Sequence, residues 1–245
     1  MCENHATRGT GWRGWQPLPE PKPVRPTGPW LDLSHPVSAG MPRADTFPPA
    51  RLEYFMRLPD DPINVTRFEM IVHTGTHVDA PRHFYNDGPA FDEIPLNRLY
   101  GPGIVFHFDI DPGGVIGAED FERQAAELRG GDIVALHTGW SEKVGTKTYD
   151  INPSISVEAA HWLVKRGVKL LACDFATPDL AIPLRKSGFT WPVHQALLGN
   201  GVLVCEHVTG VALLAGKRAE FIFGALNIAA ADGAPARVLA RSIET

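Results

Sequence analysis

The chain has 245 residues, 44% hydrophobic and 21% charged, which excludes a disordered chain and is enough for one large domain or two small ones. Its 23 Lys and Arg against 28 Asp and Glu leave a formal charge of −5, without the positive field that nucleic acid or an anionic membrane requires, so a small neutral or anionic metabolite is the expected partner. Glycine (24) and proline (22) together run well above the roughly 12% average, which favours turns and short elements over a helical bundle.

Residues 1–28 form a Pro/Trp-rich arm, with P-x-P-x-P-x-P from Pro17 followed by P-T-G-P up to Pro29. This spacing favours extended polyproline backbone. The arm reads as a free tail; the alternative is docking of Trp12, Trp15 and Trp30 on the body or on a neighbouring subunit. Residues 29–245 then make one domain. Alternating and apolar runs predict strands at Leu31–Val37, Arg51–Leu58, Ile63–Val72, Ile104–Ile110, Ile133–His137, Val168–Cys173, Val202–Cys205, Glu220–Ile228 and Arg237–Ser242. Helices are predicted from Ala118 to Leu128, from Val157 to Arg166 with Ser156 as N-cap and Gly167 beyond the end, and from Pro192 to Gly199. Recurring strand-helix-strand units predict a mixed-sheet α/β domain with few helices.

Cys2, Cys173 and Cys205 cannot make an even disulfide framework and show no CxxC spacing, which suits a reducing, cytoplasmic setting. The longest apolar stretch, Phe221 to Ala231, is interrupted by Asn227 and is too short to span a bilayer. Serine-hydrolase and nucleotide-binding signatures are missing, since no G-x-S-x-G, phosphate loop or G-x-G-x-x-G after a strand occurs.

The densest chemistry lies in His73-Thr74-Gly75-Thr76-His77-Val78-Asp79-Ala80-Pro81-Arg82-His83. Two histidines four apart could share a helix face, but Gly75, two β-branched threonines and Pro81 disfavour helix. On an extended path His73, His77, Asp79 and His83 share parity and can face one pocket while Val78 points away. Two imidazoles and a carboxylate make a borderline-hard site suited to zinc or manganese.

This H-x-G-T-H-x-D-x-P-x-H pattern resembles the signature of the metal-dependent cyclase-type hydrolases, a family that includes bacterial kynurenine formamidases and isatin hydrolases. The resemblance runs from about Trp30 to Ile243: Asp32-Leu33-Ser34-His35-Pro36 with Met41-Pro42, Thr138-Gly139-Trp140, and Gly233-Ala234-Pro235-Ala236-Arg237 look like further family segments. It implies a β/β/α-type fold, a homodimer or homotetramer, a first metal on His73, His77 and Asp79, and His83 as the catalytic histidine. A second ion is implied on the shared Asp79 with His194 and Glu206, twelve residues apart. Residues 174–179 look like the family's D-x-x-S-x-D stretch, with Thr177 in place of Ser.

Trp140, Phe84, Thr177 and Phe175 are the expected substrate contacts, with Phe47 and Trp191 as further candidates for an aromatic wall. Cys173 and Cys205 read as packing residues. The activity so implied is hydrolysis of a small aryl formamide or a lactam fused to an aromatic ring, by water activated on one or two ions with His83 moving protons. The alternatives are a cyclase or lyase using the same centre, or a metal- or ligand-binding module without turnover.

Overall fold

A computed structural model of the chain describes residues 9–20 and 23–244; Cys2 lies outside the described residues. The strands are β1 (Leu31–Asp32), β2 (Arg51–Met56), β3 (Val65–Glu69), β4 (His77–Asp79), β5 (Tyr100–His107), β6 (Val115–Ile116), β7 (Ile133–His137), β8 (Ser154–Ile155), β9 (Leu170–Cys173), β10 (Leu203–Glu206), β11 (Arg218–Ala225) and β12 (Gly233–Ser242). The helices are α1 (Ala118–Gln124), α2 (Val157–Lys165) and α3 (Pro192–Leu198).

Eight strands form one sheet in the order β1-β12-β11-β5-β7-β9-β10-β4, and β4 also pairs with β12, so the sheet closes on itself as a barrel. Strands β5, β7, β9 and β10 are mutually parallel. Their near-continuous apolar runs suit strands buried on both faces. Ile133, Ala135, Leu170, Ala172, Leu203 and Cys205 point inward to Phe221 and Val238. Alternate residues Val134, Leu136, Leu171, Cys173 and Val204 point outward to Phe121, Leu163 and Leu197 of the helices. Both cysteines are thus buried on opposite faces, and burial pushes their thiols up.

Helix α2 starts where Ser156 Oγ accepts the Ala159 amide at 3.0 Å, and the chain leaves it through Gly167 at φ +73°. Helix α1 is shorter than predicted, its last turn tightening to 3-10 geometry at Ala125–Glu127. The predicted strand at Leu31–Val37 stops at Asp32, because the Asp32 carboxylate accepts the Ser34 amide at 3.1 Å and turns the chain toward Pro36. Strand β12 begins four residues before the predicted Arg237, Pro235 being tolerated where the strand pairs with the short β4.

Two other segments stand out. The β2–β3 hairpin is a separate two-stranded sheet that leaves Tyr54, Phe55 and Phe68 exposed. The described part of the arm lies on the body: Gly11 donates to Asp87 Oδ2 at 2.8 Å, Arg13 to Gly199 O at 2.9 Å, and Trp15 packs under the Arg98 guanidinium at 4.9 Å. These contacts favour docking over a free tail for residues 9–16. Trp15→Ala is therefore expected to lower stability by about 1–3 kcal/mol in denaturant unfolding, the cost of a partly buried aromatic.

Candidate metal and active site

Gly75 makes the turn between the first two histidines. It sits at φ +65°, and a Cβ there would lie 2.8 Å from Met41 Sδ. Its amide donates to Pro42 O at 2.8 Å, while Thr76 donates to His207 O at 2.7 Å, accepts the His35 amide at 2.9 Å, and receives the Ala236 amide on its carbonyl. The segments around Asp32–Pro36, Met41-Pro42 and Gly233–Arg237 thus converge on the motif. In β4, Val78 enters the barrel core and His77 and Asp79 take the outer face, opposite Glu206 and Val204 of β10. The 3-10 turn Pro81–His83 then folds the His83 ring onto His73, centroids 3.9 Å apart. Gly233, paired with Asp79, must be small, since a Cβ there would meet the His73 ring at 2.7 Å.

Asp79 is the hub. Its Oδ1 lies 2.7 Å from His73 Nδ1 and 3.3 Å from His77 Nε2, and its Oδ2 lies 3.4 Å from His194 Nε2. Glu206 approaches from the other side, Oε1 3.1 Å from His194 Nε2 and Oε2 3.6 Å from His77 Nε2. Two donor sets therefore share one buried carboxylate: His73-His77-Asp79 and Asp79-His194-Glu206, the ligating atoms of each within 4.8 Å of one another.

The outer nitrogens fix the tautomers. His77 Nδ1 donates to Gly75 O at 2.7 Å and His194 Nδ1 to Asp179 Oδ2 at 2.6 Å, while Asp179 is itself held by the Val193 and His194 amides. In the neutral ring this leaves His77 Nε2 as a lone pair, buried, without a hydrogen-bond partner among the described residues and facing two carboxylate oxygens. Such an arrangement is repulsive unless a cation lies between, so these residues fit a divalent ion.

Protonation points the same way. Burial alone would lower the His73 imidazole, but the Asp79 charge and hydrogen bonds to Asp232 and Asp79 carry it up to about 10. His194 is likewise held well above the usual imidazole range, burial being outweighed by its bonds to Asp179, Asp79 and Glu206. Asp79 is held well below the usual carboxylate range against its own burial, chiefly by His73. Without metal, the cluster recruits positive charge from its own histidines.

Asp232, which sequence reasoning missed, joins the site from the loop before β12. One oxygen, Oδ2, accepts from both His73 Nε2 at 2.9 Å and His83 Nδ1 at 3.2 Å. Asp179 was missed as the carboxylate that orients His194, although its stretch had been singled out.

The adjoining cavity, about 150 Å³, is walled by Phe47, Tyr149, Trp191 and Thr177 and opens on His83, His194 and Glu206. Tyr149 donates its hydroxyl to His207 Nδ1 at 2.6 Å; burial raises the phenol and lowers the imidazole, so both stay neutral. Two expected substrate contacts are corrected. Trp140 is fully buried because Asp174 collects the Thr138 and Trp140 amides, tucking the indole into the core, where it donates to Tyr149 O at 3.0 Å. Phe175 is also fully buried, in the helix-side core. Phe84 backs the imidazoles, its ring 4.8 Å from His83 and 5.3 Å from His194. Thr177 lines the cavity, where a substrate contact was expected, and its hydroxyl also accepts the Asp179 amide at 3.3 Å, a bond within the turn.

A closed mixed barrel carrying one buried Asp shared by two His/carboxylate donor sets suits a metal-dependent hydrolase. The Cyclase family model matches residues 31–180, and the chain belongs to that family. It is 30% identical over 213 residues to the kynurenine formamidase of Bordetella petrii, covering 86% of this chain and 97% of that protein. The kynurenine formamidase of Geobacillus thermodenitrificans is also 30% identical, over 220 residues, covering 88% and 98%. Among solved structures, isatin hydrolase A from Labrenzia aggregata superposes with a TM-score of 0.80 at 23% identity, covering 89% of this chain and 94% of that one.

Proposed function

We propose that the protein hydrolyses the C–N amide bond of a small aryl formamide or of a lactam fused to an aromatic ring. The observation that carries this reading is one buried carboxylate, Asp79, shared by two donor sets, with His83 standing beside them and outside both. His73, His77 and Asp79 would hold one ion and Asp79, His194 and Glu206 a second; the imidazole-carboxylate mixture suits zinc or manganese. A bound ion of this kind acidifies water and polarises a carbonyl. His83, its Nδ1 donated to Asp232, keeps Nε2 to take up a proton and pass it to the leaving nitrogen. The cavity of about 150 Å³ has the room a single benzene ring takes, and its Phe47, Tyr149 and Trp191 suit an aryl group.

The exposed apolar residues of the β2–β3 hairpin support a homodimer or homotetramer, because a two-stranded hairpin is marginal on its own. Unpaired, buried Cys173 and Cys205 support a reducing, cytoplasmic setting, and no described helix is long and apolar enough to cross a membrane.

The test is a turnover screen of metal-loaded protein on N-formylkynurenine, isatin and related aryl amides, with product analysis and elemental analysis of the same sample. Hydrolytic products are expected. A cyclised or eliminated product would make the enzyme a cyclase or lyase, and metal binding without any reaction would leave a binding module. Glu206→Gln should reduce bound metal from two ions to one. A wild type that binds one ion in excess metal, with the variant unchanged, would restrict Glu206 to a structural role.

A further inference from the structure

Between Asp179 and helix α3 the chain forms a loop, residues 180–191, in which Arg185 follows the 3-10 turn Ile182–Leu184. Its Nε donates to Leu180 O at 2.7 Å, and its guanidinium carbon lies over the Phe189 ring at 4.8 Å and the Trp191 ring at 5.2 Å. A carbonyl and two rings thereby fix a side chain that otherwise samples many rotamers. Trp191 supplies its ring from left-handed backbone, φ 52° and ψ 57°, a conformation that a bulky residue adopts only where its surroundings impose it.

The clamped guanidinium lines the same cavity as His83, His194 and Glu206. Among the described residues it forms no ion pair, and its two Nη groups have no hydrogen-bond partner. Burial lowers its pKa, with the charges of Asp179 and Glu206 acting in the opposite direction. The cavity's other arginine, Arg43, has its Nε tied to Phe47 O at 3.0 Å and, among the described residues, its Nη groups are also without a partner, but it stacks on no ring. Asp45 and Asp150 also line the cavity, and Asp150 is pushed up by its burial and by the Asp45 charge. An anion entering there is repelled by those two carboxylates, and of the two unpaired guanidinium forks it meets, that of Arg185 is the one held rigid by two rings.

We propose that Arg185 is the specificity-determining residue of this pocket, its Nη groups receiving a carboxylate that the substrate carries apart from the scissile amide. A planar guanidinium with two free N–H groups matches a carboxylate in bidentate fashion. The inference rests on the amide-hydrolase reading and narrows it to aryl amides bearing an acidic side chain, at the expense of neutral fused lactams.

Metal-loaded wild type, Arg185→Gln and Arg185→Lys are to be compared on N-formylkynurenine and on N-(2-acetylphenyl)formamide, the same aryl formamide without the amino-acid side chain. Arg185→Gln should raise KM for the carboxylated substrate about 10–100-fold, the worth of a charge-assisted pair, with kcat nearly unchanged. Arg185→Lys should restore part of that loss, and the neutral formamide should respond less than about twofold to either change. Equal losses on both substrates, or no change on either, would overturn the assignment.

Calorimetry with kynurenine and with 2-aminoacetophenone, on the same metal-loaded proteins, keeps the test independent of turnover. Wild type should prefer kynurenine, and Arg185→Gln should erase the preference. A wild type without that preference, or a variant that keeps it, overturns the role of Arg185. Arg185-dependent binding of kynurenine by a protein that hydrolyses neither formamide would instead defeat only the hydrolase reading.

Discussion

Asp79→Asn is expected to leave the protein without bound metal and without turnover, and His77→Ala, which breaks only the set of His73 and Asp79, should lose one of two ions and turnover with it. Asp79 is 1% exposed and is the one ligand common to both donor sets. Neutralising it leaves His73 with His77 on one side and His194 with Glu206 on the other, two ligands each, too few to hold a divalent ion against buffer. The amide is nearly isosteric, so the barrel should still form. Cys205→Ala is the control: that side chain points into the barrel, one residue from Glu206, and both metal and activity should be nearly intact. Elemental analysis and turnover on one sample decide the matter, and full metal content with full turnover in Asp79→Asn would mean that the site is wrongly placed.

The same cluster fixes a pH dependence. In the metal-free protein His73 is carried up to about 10 and His194 is also raised, so at neutral pH both hold protons that an incoming ion must displace. Affinity should therefore rise with pH, about tenfold per unit for each proton released, and fall on acidification. Chelator-competition titrations at pH 6, 7 and 8 would show a slope near one for each ion, since His73 and His194 stand in different sets; a slope of zero for both would mean that neither imidazole is a ligand.

The clustering of the first donor set was legible because its three residues and His83 lie within eleven residues, where Gly75 and Pro81 disfavour helix and parity sorts Val78 from its neighbours. That His194 and Glu206 meet at Asp79 was expected from family spacing, and their local positions agree, one in the first turn of α3 and one at the end of β10. The continuous apolar runs of β7, β9 and β10 announced a buried sheet. Barrel closure was not announced, because β4 has only three residues and its pairing with both β10 and β12 is decided by contacts far apart in sequence.

Asp232 was hidden for the same reason. It lies 149 residues from His83 and reaches it only because β12 pairs with β4; its one signal was its place directly before Gly233-Ala234-Pro235. Trp140 and Phe175 misled in the opposite sense. They flank recognisable turns, but the Asp174 carboxylate uses those turns to tie β7 to β9, and what it ties down is packed in the core.

His83→Ala should keep its metal while kcat falls by about 10²–10⁴-fold, the usual worth of general acid-base help. The ring is 28% exposed, stacks on His73, and gives its Nδ1–H to Asp232, so removing it vacates neither of the two sets that share Asp79. KM should change much less, and the limb of the pH-rate profile that reports this imidazole should disappear. Asp232→Asn should reproduce part of the loss, because the same oxygen sets the tautomer of His83 and the orientation of His73. Measured at saturating metal, which would offset the loss of the Asp232 bond to His73, the double variant His83→Ala/Asp232→Asn should be little worse than His83→Ala alone, since the carboxylate's other partner is then gone. The fold also brings His73, His83 and Asp232 within ligating distance of one another, which gives the experiment its alternative outcome. A His83→Ala protein that loses metal in proportion to activity would make His83 a ligand in that third set, and one that retains near wild-type kcat would remove it from the mechanism.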